Sequence, residues 1–211
     1  MDAPLHILEH LAVPYPKPAI ACRLGQRRGV PQALDNPRFS DCARRAYALC
    51  EPRGRYRLLP IRQIEAEGIR LEDGTLVPGA RFAALCGGQS WLWCAAVTVG
   101  AGLVAAREAL TSLTEQSIYD AVGSECADAA MDALQSHARQ LLLSQGVALA
   151  PRRYSPGYGD MPLSVQRLFD RYLDLNAMGV VLTDSFMMLP EKSVTAWAGA
   201  ARLQGAAPAV C

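Results

Sequence analysis

Between Ser112 and Gly146 the apolar positions Ile118, Val122, Cys126, Ala130, Ala133 and Leu141 recur at helical spacing, predicting one long amphipathic helix. Ser112 followed three residues later by Glu115 has the capping-box pattern, in which each side chain satisfies a backbone amide left unbonded by the first turn. Gly146 supplies the stop. Much of the stripe is alanine, so its neighbour must pack closely. A second helix is predicted after Pro162, with Val165, Leu168, Phe169 and Tyr172 on one face and Gly179 as its end.

Elsewhere the pattern changes to strands. "RYRLLPIRQIEAEGIRLEDGTLVPG" reads as strands broken at Glu67-Gly68 and Asp73-Gly74, where glycine allows a tight turn. "SWLWCAAVTVG" is uncharged, aromatic and β-branched between small residues, the pattern of a buried strand. "VVLTDSFMML" and "SVTAWAG" read as two strands around Pro190. Apolar alternation puts Met187, Met188 and Trp197 in the core. Residues 4–55, interrupted by Pro14, Pro16, Pro18, Pro31, Pro37 and Pro52, leave room only for short helices, the better one after Ser40. Successive strands join by turns instead of alternating with helices, which predicts a single α+β domain. Residues 1–80 form its N-terminal helices and hairpins, 81–200 its core and 201–211 a loose tail.

Composition narrows the function without identifying it. The chain has 211 residues, 51% hydrophobic and 19% charged, with a formal net charge of +1. That charge offers no basic excess for nucleic acid or an anionic membrane surface. No apolar run reaches the roughly 18 residues of a membrane span. The acidic, proline-bearing N-terminus lacks the features of a secretory signal, so the cytoplasm is the expected compartment. Seven cysteines without a CxxC spacing read as small buried hydrophobes, not as a disulfide framework or zinc site. Cys42 and Cys50, two helical turns apart, read as packed thiols, and His6 and His10 as packed or solvated side chains. The phosphate-binding loop, the dinucleotide fingerprint and the serine-nucleophile elbow are all absent.

The stretch "PRRYSPGYGDMPLSVQRLF" (151–169) concentrates arginine, aromatics, prolines and glycines directly before the second helix. Pro156 fixes φ and Gly157 permits a close backbone approach, so the turn can hold amides and carbonyls toward a ligand. Arg153 has the planar fork that clamps a carboxylate, and Tyr158 a ring face suited to a cation or a purine. The same residues also suit a Pro-Gly turn packed over neighbouring helices. Both readings remain open on spacing alone.

Arg153, Pro156, Gly157 and Tyr158 fit an R-x-x-P-G-Y loop. Thr183, Asp184, Ser185, Phe186, Met188, Pro190, Ser193, Val194 and Thr195 fit T-[DE]-S-F-x-M-x-P followed by S-V-[ST]. In these motifs and their separation, residues 150–197 resemble the activation domain of cobalamin-dependent methionine synthase, and "CGGQSWLWCAAVTVG" and "YDAVGSECADAAMDAL" extend the resemblance to residue 80. The resemblance implies a curved antiparallel sheet flanked by helices. It also implies binding of S-adenosylmethionine, with Arg153 holding the methionine carboxylate and Ser155, Gly157 and Tyr158 lining the nucleoside and sulfonium. Asp128 on the long helix aligns with an acidic ligand contact, although a solvated helix carboxylate fits the pattern equally. The implied role is that of an accessory subunit supporting reductive methylation of cob(II)alamin. No D-x-H-x-x-G corrinoid loop occurs here, so the cobalamin would sit on a methionine synthase acting in trans, with a flavodoxin or ferredoxin as electron donor. The alternative is a non-catalytic corrinoid-protein partner that caps or senses the cofactor without binding S-adenosylmethionine. A third reading is a structural domain whose cleft holds no ligand.

Overall fold

The computed structural model describes residues 4–25 and 33–203; Pro31, Cys211 and the expected loose tail from 204 onward lie outside the described residues. In chain order the elements are β1 (His6–Leu8), α1 (Lys17–Arg23), α2 (Pro37–Ala48), β2 (Arg53–Ile64), β3 (Gly68–Leu71), β4 (Leu76–Pro78) and α3 (Ala80–Leu85). They continue with β5 (Trp91–Thr98), α4 (Gly102–Glu108), α5 (Leu113–Ser144), β6 (Val147–Leu149), α6 (Gln166–Leu173), β7 (Val181–Leu182), β8 (Met188–Leu189) and β9 (Ser193–Arg202).

The uncharged run at Trp91–Thr98 lies mid-sheet, with β2 on one side and β9 on the other. The strand order is β4-β3-β2-β5-β9-β6, every pairing is antiparallel, and β1 joins the far edge of β2. A register shift between Ile61 and Gln63 bends β2 and curves the sheet. Pleating sends Leu92, Cys94 and Ala96 to one face with Trp197, under α6 and α3, and Trp93, Ala95 and Val97 to the other, under α5. The fold is therefore α+β, as the strand pattern predicts.

Ser112 caps α5 as expected, its hydroxyl accepting the Glu115 amide. The buried ladder of α5 runs Ile118, Val122, Cys126, Ala130, Leu134, Ala138 and Leu142; Ala133 and Leu141, expected on the stripe, are only half-buried. At 3.6 residues per turn each four-residue step overshoots by about 40°, so the ladder winds around the helix. Its first half meets α2, α4 and α1, and its second half meets the alanines of β5 and β9. One helix thus closes two cores.

Four further expectations need correction. The helix after Pro162 ends at Leu173, before Gly179, because Asp174 adopts a left-handed conformation at φ 53°. "VVLTDSFMML" is not one strand but the small hairpin β7–β8 turning through Thr183–Met187. Met187 is 55% exposed on that hairpin, whereas Trp197 is fully buried as expected. The last strand includes Ala201 and Arg202, which the pattern assigns to the tail.

Buried Arg55 on β2 holds the end of α6 in place. Its guanidinium donates to the carbonyls of Leu173 (3.1 Å), Asp174 (3.0 Å) and Ala177 (3.4 Å), a cation set against the negative end of the helix. This contact sets the position of the helix that carries Gln166 to the cleft described next.

Candidate functional site

A cleft of about 770 Å³ opens between the solvent side of α5, the 151–158 loop and the start of β9. The loop is held from both sides. Tyr154 and Trp197 exchange backbone hydrogen bonds at 2.8 Å each way, which fastens the loop to the edge of β9. The Tyr154 ring stacks on Phe82 with centroids 5.4 Å apart, and its hydroxyl donates to Asp160. Asp160 also accepts the Arg81 amide, which leads the contacts holding its carboxyl below the usual range. Gly159 leaves room for that hydroxyl; a Cβ there would stand 2.1 Å from it.

Gly157 has φ 87° and donates its amide to the Met161 carbonyl at 2.9 Å. It shapes the turn without lining the cleft. A methyl group at Gly157 would meet ordinary packing, its nearest neighbour being 3.5 Å away. The expected cost of Gly157→Ala is therefore the backbone strain alone, about 1–2 kcal/mol, read from the urea midpoint.

Arg153 reaches across the cleft to α5, donating to Gln135 Oε1 at 2.7 Å and pairing with Asp132 Oδ1 at 2.7 Å. These contacts leave donors of the guanidinium fork for a ligand carboxylate. Gln135 is locked in turn, its amide donating to the Ala150 carbonyl at 2.9 Å. Ser155 and Tyr158 line the cleft, Tyr158 being 71% exposed at its mouth. Asp128 lines the same wall and pairs with Arg23 at 3.5 Å. Partial burial, and after it the charge of Glu125, raise its carboxyl pKa against the pull of Arg23; the side chain is 60% exposed, so water screens the effect.

The structure therefore brings Arg153, Ser155, Tyr158 and Asp128 to one cleft and puts Gly157 behind it. Asp132, Gln135 and Gln166 escape the sequence reading, and Thr195 enters it only as a motif position, not as a cleft residue. Asp132 follows Asp128 by one helical turn, a readable signal; nothing local marks Gln135 or Gln166, both nearly fully buried, as cleft residues. Gln166 accepts the Thr195 hydroxyl at 2.8 Å, joining α6 to the cleft floor. The arrangement offers a cation beside two carboxylates, hydroxyls and an aromatic rim, which suits a zwitterionic ligand with a flat ring.

Next to the floor, Lys192 donates to Asp120 at 2.6 Å and to Ser124 at 3.0 Å, and Arg107 donates to Asp120 at 3.1 Å. Burial pushes the Asp120 carboxyl up, but the Lys192 hydrogen bond and charge, aided by Arg107, hold it below its ordinary value. A carboxylate with a lowered folded-state pKa adds stability above its unfolded value, and loses it as pH falls through the folded one. The urea midpoint is expected to drop below about pH 4, and Asp120→Asn to flatten part of that drop.

No helix among the described residues is long and apolar enough to cross a membrane. Among the same residues no cluster of three or more histidine, cysteine or acidic side chains is arranged to hold a metal ion. No protein-family model matches the chain, and no curated protein matches it. Solved structures do match. The crystal structure of the MetH reactivation domain bound to AdoHcy aligns with 98% of this chain and 81% of its own, at a TM-score of 0.65 and 18% identity. The likeness at that identity is one of architecture, and it extends to the N-terminal residues where the sequence motifs give no guide. The chain has the fold of the methionine synthase reactivation domain.

Proposed function

We propose that the chain binds S-adenosylmethionine in the cleft at Arg153 and supports reductive methylation of a corrinoid carried by a separate methionine synthase. The observation that carries this reading is the pose of Arg153, fixed by Gln135 and Asp132 over a cleft flanked by Asp128 and Tyr158. In it, Arg153 takes the ligand's carboxylate, Asp128 and Asp132 its ammonium, and Tyr158 the purine or the sulfonium. The matched fold, solved with AdoHcy bound, supports a ligand of that kind.

Neither histidine nor cysteine lines the cleft, and in this reading the corrinoid is carried by the partner. That corrinoid, reduced by one electron from a flavodoxin or ferredoxin, would supply the nucleophile. The methyl would pass to that nucleophile, forming the new bond as the S–CH₃ electron pair stays on sulfur, and no side chain needs to move a proton. The contribution of this chain is orientation, holding the methyl at the open mouth of the cleft.

The test uses methyl-labelled S-adenosylmethionine, a reductant, the full chain and a cobalamin-loaded methionine synthase lacking its own activation domain. Label is expected on the partner's cobalamin only when the chain is present. Binding of the partner without label transfer, together with failure to bind S-adenosylmethionine, would favour the capping or sensing role. The wide mouth of the cleft and the exposed Tyr158 beside it are compatible with that second reading.

A further inference from the structure

Beside Tyr172 of α6, the sheet has a gap. The pairing of β1 with β2 stops at Tyr56, and that of β3 with β2 starts at Ile61, next to which the Glu72 amide donates to the Pro60 carbonyl at 3.0 Å, so among the described residues only 57–59 of the outer edge of β2 have no strand partner. Pro60, which has no amide to donate, borders this gap. A pocket of about 250 Å³ opens there, lined by Arg57, Leu59 and Pro60 of β2, by Leu71, Glu72 and Asp73, and by Tyr172 of α6. Its volume equals that of about eight waters.

Arg57 is the unexplained group. It is half-buried, its Nε is sealed from solvent without a hydrogen-bond partner, and among the described residues the guanidinium has no ion pair. A cation drawn this far from water without a counter-charge is unfavourable, and a bound anion would relieve it. Asp73 does not fill that role. Its carboxylate accepts the Tyr172 hydroxyl at 2.7 Å, the Thr75 amide at 2.9 Å and Arg171 at 3.4 Å. Glu72 stands on the lining with its side chain exposed and forms no ion pair among the described residues. The pocket thus presents an unsatisfied cation inside and a free carboxylate at its rim, with apolar Leu59, Leu71 and Pro60 between them.

We propose that this pocket binds a small α-amino acid, its carboxylate meeting Arg57 and its ammonium meeting Glu72. A plain anion would meet the repulsion of Glu72 and Asp73; a zwitterion turns the first of these into an attraction. The site is separate from the cleft and is independent of the function proposed for it.

The experiment is calorimetric titration of the full chain with L-alanine and, separately, with acetate. Saturable L-alanine binding in the millimolar range is expected, with acetate weaker by about fivefold, the scale of one exposed ion pair. Arg57→Gln should weaken L-alanine about tenfold or more while leaving S-adenosylmethionine binding unchanged. Should Arg57→Gln not fold, Glu72→Gln carries the test, since its exposed side chain can be changed without disturbing packing; it should erase the preference for L-alanine over acetate. The proposal is overturned by no saturable heat from L-alanine, by equal binding of acetate, by indifference to these variants, or by displacement of L-alanine by S-adenosylmethionine.

Discussion

Arg153→Ala is expected to weaken S-adenosylmethionine binding about 10- to 100-fold, the range for losing a hydrogen-bonded partner of a charged group. The same change should leave the thermal midpoint nearly unmoved. Asp132 is 69% exposed, so its ion pair with Arg153 contributes little to stability, and Gln135 keeps its bond to the Ala150 carbonyl. Arg153→Lys should fall between wild type and alanine, because it keeps the charge and loses the fork. Calorimetric titration beside a melting curve separates the outcomes. Weak binding with an intact midpoint makes the loop a ligand clamp. Unchanged binding would remove the arginine from the site, and with it the carboxylate contact on which the reading rests.

The largest effect on stability is expected from Trp197→Ala, at about 3–5 kcal/mol. Trp197 is fully buried on β9 with its ring 4.4 Å from that of Phe169 on α6, the main aromatic contact between that helix and the sheet. Its removal leaves a cavity between the sheet and α6, and the Arg55 clamp on the end of that helix limits how far it can collapse. For a domain of this size the melting midpoint should fall by about 10 °C. The backbone bonds to Tyr154 need no side chain, so the cleft loop should stay attached in whatever fraction remains folded. A fall of only one or two degrees would show that α6 is held chiefly by the Arg55 clamp.

What the sequence reveals here follows from the range of each interaction. The capping pattern at Ser112, the Asp73-Gly74 turn and the charge-free run at Trp91–Thr98 are local, and each stands where the pattern puts it. Short elements such as α1, α3, α4 and β6 are set by the surfaces they cover, and their few residues carry too little periodicity to be read. Asp174 ends α6 early because its left-handed backbone is stabilised from afar, by Arg55 on its carbonyl. Within the cleft, the loop residues are marked by their own unusual chemistry. Gln135 and Gln166 acquire a role only once α5 and α6 lie beside the loop and β9, and no pattern within either helix foretells that.

The pairing of β5 with β9 joins Trp91 to Ala200 and Thr98 to Ser193, so two central strands meet only after everything between them, α5 included, has been drawn out of the way. Contacts that distant must offset a large loop-closure entropy before they return any stability, which puts such sheets at the slow end of the folding scale, about milliseconds to seconds. The long helix between them closes its own turns far faster. During refolding, helical signal should therefore appear well before the fluorescence of Trp93 and Trp197 reaches its native value. In that interval the bare alanine face of α5 has no sheet to cover it, making the unfinished chain the form most prone to aggregate.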